Sequence, residues 1–336
     1  MRNDTRLAFN RLTAQIAQLS GVNSATDSFA VEPSVQQTLE TRIQESSEFL
    51  GMINVVGVDE LKGEKLGLGI SGPIAGRTDV SQKDRSPRDL TTLDSQSYEC
   101  ASTEFDTYLP WNKLDAWAKF PDFQTRVRNT ILRQQALDRI MVGFNGTNAA
   151  RETDRATNPL LQDVNVGWLQ QYRTHAPARV MSKGAAEGKI VVGTGGDYVN
   201  LDALVIDAVN ELIDPWFRES TDLVAIMGRK MLADKYFPLI NQDHPPTEQR
   251  ALDLIVSQKR VGGLQAVRAP YVPDGAIFVT ALSNLSLYWQ NGSRRRYIRD
   301  KPERKRVENY ESSNDAYVVE DFGLGCLIEN IDVTEA

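Results

Sequence analysis

The sequence predicts an α+β chain: one long helix and a set of strands frame an inserted α/β lobe, and an arm reaches out from the body. Three features carry that prediction. Residues 122–144 are one sustained amphipathic run. Residues 190–258 alternate strand-like and helix-like stretches, the pattern of an α/β unit, whereas the chain from Ala276 onward reads mostly as strand. Residues 72–96 are polar and rich in Gly, Pro and charge, too long for an ordinary connection in a compact body.

Taken in order, Ala8, Leu12, Ile16 and Leu19 recur at helical spacing, with Asn3 or Asp4 to cap the start and Gly21 to end the helix. NSATDSFA, residues 23–30, has the small, polar composition of an exposed linker where proteases cut. Pro33 opens a second helix with Val35, Leu39, Ile43 and Leu50 on one face. INVVGV and KLGLGISG read as short strands and residues 98–109 as another extended one, which makes a two-stranded arm with a polar tip. Such a ribbon has little core of its own and gains stability only by lying on something else.

In the 122–144 helix, Phe123, Val127, Ile131, Ile140, Met141 and Phe144 form the expected apolar stripe, with arginines on the other faces. Pro121 and Gly146 bound it. VGWLQQYR is a short helix. Residues 190–192 are a strand, 201–213 a helix, and LVAIMG a buried strand before a helix ending near Phe237. NQDHPPTEQRAL is a loop and LDLIVSQ a strand; AIFVTAL, LSLYWQ, DAYVVEDF and CLIENIDV complete the set.

A chain of 336 residues with 41% hydrophobic and 25% charged residues has ordinary globular composition. At this length it buries roughly 75% of its unfolded surface, so neither metal nor disulfide is needed for a core. The 38 Lys+Arg against 45 Asp+Glu leave a net charge of −7, which argues against a protein that coats nucleic acid through phosphates. Two cysteines, Cys100 and Cys326, fit a reducing compartment. No run approaches the roughly 18–20 apolar residues of a membrane span. Arg2, Arg6 and Arg11 precede no apolar signal core, so synthesis in the cytoplasm without a membrane partner is expected.

Catalytic motifs fail on inspection. In VVGTGGDYVNLDALV, Gly193, Gly195 and Gly196 are followed by Tyr198 where a dinucleotide fingerprint needs a third glycine, and no Gly-Lys-Ser/Thr follows. Asp197 would repel a phosphate, and Asp197 or Asn200 is better read as a helix cap. A phosphorylated-ligand enzyme using this loop is the alternative reading. Asp321-Phe322-Gly323 imitates a kinase motif without its catalytic loop. His175 and His244 have no metal-ligand spacing. No cofactor, metal or catalytic residue is assigned, and no enzyme is expected.

The basic run through Arg294, Arg295, Arg296, Arg299, Lys301, Arg304, Lys305 and Arg306 is followed by Glu308, Glu311, Asp315, Glu320 and Asp321. Three readings stand: a nucleic-acid patch, a solvated hairpin, or charge complementarity between copies of the chain. The last is favoured over the first because the overall charge is negative. Arg294, Arg295, Arg296, Glu308 and Glu311 are the candidate contacts.

VEPSVQQTLETRIQESSEFL, YECASTEFDTYL, DFQTRVRN, NPLLQDVNVGWLQQYR, GGDYVNLDALV and RVENYESSNDAYVVEDFGLGC closely resemble the major capsid proteins of tailed phages with the HK97 fold, in the GpN-like branch of peduoviruses. The resemblance covers nearly the whole chain. It implies a removable assembly segment (1–31), an N-arm (32–52), an E-loop across a neighbouring subunit (53–109), a peripheral domain with a long spine helix (110–192 and 271–336) and an axial domain (193–270). It further implies hexamers and pentamers of a shell, an internal scaffolding protein, a prohead protease cutting between Phe29 and Ala30, a portal protein, and weak contacts with packaged DNA. A nanocompartment shell of the same fold would differ by lacking the removable helix.

Overall fold

The computed structural model describes residues 1–19, 22–66, 69–70, 75–86, 91–92, 95–117, 123–185, 187–240 and 259–334. Its organising element is the strand Arg306–Val319, whose final residues are all buried. Leu285–Gln290 and Arg295–Lys301 pair antiparallel with successive stretches of it, residues 315–319 and 306–312, along one edge. Phe29–Ala30 and Asn54–Val58 close the two ends, and Ala101–Glu104 and Thr107–Pro110 also pair with the central strand, making seven strands in all.

The long helix Phe123–Asn145 lies on this sheet. Leu132, Ala136, Ile140, Val142 and Phe144 share a core with Leu285, Leu287, Tyr317 and Val319 of the sheet, and with Trp168, Leu169 and Tyr172 of the helix Trp168–His175. The Trp168 ring meets Phe144 at 5.4 Å and Tyr317 at 5.3 Å in edge-on geometry, the favoured arrangement for aromatic quadrupoles. Gly143 permits this approach, because a Cβ there would stand 2.2 Å from the Trp168 ring.

The second sheet has six strands in the order Arg260–Val261, Leu264–Arg268, Leu223–Met227, Ile277–Ala281, Gly325–Ile328 and Val180–Met181. Every residue of Leu223–Met227 and of Ile277–Ala281 is buried, as strands covered on both faces must be. The helix Leu201–Leu212 packs Leu201, Leu204, Val205 and Ala208 into the same core. Asn200 caps it by accepting from the Ala203 N–H at 2.8 Å. The helix Arg229–Ile240 follows the strand Leu223–Met227.

Several expectations change. The linker at 23–30 is not simply exposed: Ala25 and Phe29 are buried, and Phe29–Ala30 is a strand. The second helix is two, Pro33–Glu45 and Glu48–Met52, and its buried face carries Gln36 and Glu40 beside Ile43. The long helix buries Gln135 and Arg139, so its arginines do not all face outward. Both ends of 53–109 belong to the main sheet; the free part of the arm is the hairpin of Lys62–Leu66 with Ser95–Glu99, followed by the short pair Gly69–Ile70 with Thr91–Thr92. Ile277–Ala281, Gly325–Ile328 and Val180–Met181, outside 193–270, lie in the lobe's sheet. Gly21, Pro121, residues 67–68, 71–74, 87–90 and 93–94 of the arm, NQDHPPTEQRAL and LDLIVSQ lie outside the described residues.

Candidate assembly and processing surfaces

A knot of charge joins the N-arm, the long helix and the central strand. Arg139, on the long helix, donates to Glu40 of the N-arm through Nη1 and through Nη2 at 3.2 Å. It also grips Asp315 with Nε at 3.0 Å and Nη2 at 3.1 Å. Arg294 donates to Glu40 at 2.7 Å, to Glu311 at 2.9 and 2.5 Å, and to Gln135 at 2.9 Å. Gln135 Nε2 donates to Glu311, and the Ser313 hydroxyl to Asp315. All seven side chains are buried.

Two guanidiniums therefore face three carboxylates away from water. Burial works to raise the Glu311 carboxyl, but Arg294 and then Arg296 hold it down at about 2. Glu40 is likewise held below its ordinary value against burial by Arg139 and Arg294. For Asp315 burial prevails: its carboxyl sits above the ordinary value despite Arg139, with the Glu40 charge adding to the rise.

This knot corrects part of the sequence assignment. Arg294 and Glu311 are spent inside the chain, where a neighbour cannot reach them, because each is at most 5% exposed and saturated by internal partners. Glu308 is buried too, its carboxyl lowered to about 2 chiefly by the Tyr310 hydroxyl and then by Arg306 and Lys301. Arg296 Nε donates to Asn309 at 3.0 Å, while Arg295 remains exposed. The basic run thus forms one strand of a hairpin, turning at Pro302–Arg304 with Lys305 in the left-handed region at φ 49°.

Glu40, Gln135, Arg139 and Asp315 were not singled out from the sequence, although a signal existed. Gln36, Glu40 and Ile43, and Gln135, Arg139 and Val142, are spaced as one helix face; Glu311, Ser313 and Asp315 alternate on one strand face. Polar residues repeated with core periodicity mark a buried polar layer.

The proposed cut, Phe29–Ala30, lies at the sheet edge: Phe29 pairs with Arg296 and Ala30 with Arg295, and Phe29 is buried. Inside the arm, Tyr98 crosses its hairpin partner Gly63, where a Cβ would sit 2.6 Å from the ring. The same ring meets Tyr288 of the main sheet edge-on at 5.1 Å, beside Cys100, Ala316 and Val318. The arm is anchored at its root, and Val80 in its outer part is 70% exposed.

The glycine loop is a turn. The Gly193 and Gly196 N–H groups are taken by the Tyr198 and Gly193 carbonyls at 2.9 and 3.0 Å, and the Asp197 carboxylate ties the loop down by accepting from the Val191 and Ala185 N–H groups at 2.8 and 2.7 Å. A groove of 1390 Å³ lies elsewhere, between Phe49, Arg133 and Tyr271. Among the described residues no cluster of His, Cys, Asp or Glu has metal-ligand geometry, and no helix is long and apolar enough to cross a membrane. Both cysteines are free and buried; burial pushes Cys100 up to about 11 and Cys326 to about 12.

A long helix on a sheet, an outlying arm hairpin, an N-terminal segment and an α/β lobe with its own core define a subunit of the HK97-like capsid fold. The chain is similar to a chain of the satellite phage P4 procapsid including the size determination (Sid) protein, at 50% identity and TM-score 0.83 over 100% of this chain and 99% of that one. It shares the fold of the capsid of an empty GTA particle at 16% identity and TM-score 0.52, over 85% and 90% of the two chains. The profile of the phage major capsid protein family, P2 family, matches residues 8–331. The capsid proteins of Escherichia phage P2 are 52% identical, covering 99% of this chain and 96% of theirs. The major capsid protein of Serratia phage KSP20 is 42% identical, covering 98% and 97%. This chain belongs to the P2 family of phage major capsid proteins. It is a structural protein of the virion capsid, not an enzyme, and copies of it assemble into the phage head.

Proposed function

We propose that residues 1–31 are an assembly segment, working with an internal scaffolding protein and cut by a prohead protease between Phe29 and Ala30, which releases residues 1–29, once a shell of hexamers and pentamers has closed. The observation that carries this reading is the segment's separateness. Ala17, Ala25, Phe29 and Val31 form a small cluster of their own with Ile16, Val22, Val35 and Leu39, which touches the larger core through Leu39. The segment's loss leaves the two main cores whole.

In the same reading the arm hairpin lies on a neighbouring subunit, the lobe meets its copies at capsomer centres, and, of the candidate contacts, Arg295 and Arg296 are left for intersubunit charge contact. A portal protein takes one vertex. A net charge of −7 keeps contact with packaged DNA weak.

Co-expression with the scaffolding protein and protease tests this. Electron microscopy is expected to show closed shells, and mass spectrometry a mature chain beginning at Ala30. A chain lacking 1–31 from the start is expected to give fewer or irregular shells. Uniform shells at full yield from the truncated chain would remove the assembly role.

A further inference from the structure

The N-terminal segment does more than hang from the body. Its helix Asn3–Leu19 brings Met1, Phe9 and Ile16 against Leu114, Ile298 and Val307, with Leu109 and Trp111 beside them. The Ile298 N–H donates to the Ala25 carbonyl at 3.2 Å and the Val31 N–H to the Arg294 carbonyl at 2.9 Å. Between these bonds Phe29–Ala30 pairs with Arg295 and Arg296. At the far end the Arg2 N–H donates to Asp115 at 3.0 Å, and Arg6 stands 3.7 Å from Asp300, which also accepts from Trp111 Nε1 at 2.9 Å.

An extended segment taken up by another protein's strand edge is read through its free main-chain groups and its alternate side chains. Around Phe29 and Ala30 the main chain is already engaged by the subunit's own sheet, and the Phe29 side chain is buried.

We propose that the segment is a self-covering latch. The bonds around Phe29–Ala30 are cut only after this strand leaves the edge of Arg295–Lys301, and departure of the whole segment, its helix Asn3–Leu19 included, uncovers Ile298, Val307 and Leu114. Cutting makes that change irreversible, because the detached segment no longer returns as part of the chain. Processing therefore reports a conformational step of the subunit as well as the presence of a protease. The inference rests on the reading that the chain is cut in this region, but the latch is testable without it.

Cysteines replacing Ala30 and Arg295 face each other across an antiparallel pair. Such Cα atoms lie about 4.5–5.5 Å apart, within the roughly 4.4–6.8 Å that a disulfide spans. Unassembled subunits of the Ala30→Cys, Arg295→Cys chain are treated with thermolysin, oxidised or reduced, and fragments are reduced before mass spectrometry. The reduced form is expected to be cut within 28–31 at the rate of the unsubstituted chain, and the oxidised form at least about tenfold more slowly, as for a site that must open locally first. Equal rates would overturn the latch.

A second measurement uses the unsubstituted chain. The Ile298 amide is expected to exchange about tenfold faster once the segment has been cut away. Unchanged protection would overturn the claim that cutting uncovers this edge. Co-expression with the phage protease separates the two ideas: no cut anywhere in 23–31 ends the processing reading, while the thermolysin comparison still decides the latch.

Discussion

Arg139 and Arg294 meet Glu40, Glu311 and Asp315 in a space shielded from water, and each guanidinium holds partners from different segments. Removing one member of such a group strands the others, at a cost of roughly 3–5 kcal/mol. Arg139→Leu is therefore expected to lower the urea midpoint strongly, whereas Asp315→Asn, which removes the surplus negative charge, costs less. The pH dependence follows from the directions of shift. Glu311 is depressed, so its stabilisation is present above the ordinary 4.5 and is lost as pH falls toward about 2. Asp315 is raised, so its contribution is complete below 3.8 and is lost as pH rises through its folded value. Urea titrations at several pH values check both: Glu311→Gln flattens the acid limb, and Asp315→Asn the opposite one.

Elements were the most legible scale. The long helix, the short helix at Trp168, the helix at Leu201 and the strands within AIFVTAL, LSLYWQ and DAYVVEDF appear where periodicity places them, whereas CLIENIDV divides into Gly325–Ile328 and Ile331–Val333 in different sheets. The prediction for Asn200 or Asp197 as a cap resolves to Asn200, because Asp197 is occupied by loop N–H groups. Asn200→Ala is expected to cost about 1 kcal/mol, as lost caps do. Gly143→Ala drives a methyl into the Trp168 ring and is expected to cost roughly 1–3 kcal/mol, typical of overpacking. Denaturant unfolding of the two variants ranks them. The N-arm was misread as one helix because its apolar spacing continues past Glu45, whereas the backbone breaks at Ser46 and Ser47 and restarts at Glu48. The strand Phe29–Ala30 escaped notice because its pairing partner lies more than 260 residues away.

At the scale of the whole molecule, a single chain leaves Val199 80%, Leu7 57%, Ile206 49% and Trp216 45% exposed. Scattered apolar exposure is normal for a soluble surface, but in a shell-forming subunit these side chains are candidates for contact with neighbours. Trp216→Ser is expected to change the stability of the isolated subunit by no more than about 0.5 kcal/mol, as exposed substitutions do. It is expected to reduce the yield of closed particles, measured by sedimentation and electron microscopy. Because association stabilises the folded state by mass action, the melting temperature of unassembled subunits is expected to rise with concentration, and less so in the variant.

The sequence by itself determined most of the helices and the buried strands, the absence of a nucleotide fingerprint and, through long shared strings, the kind of container the chain builds. Helical and strand periodicity are local, and a family resemblance is written in consecutive residues, so neither needs coordinates. Only the tertiary structure decided which charges are buried, where Phe29 and Ala30 rest, and which strands complete the lobe's sheet. Those outcomes depend on what a residue meets from distant parts of the chain: the same arginine is a surface charge or the centre of a buried knot according to whether Glu40, Glu311 and Asp315 arrive beside it.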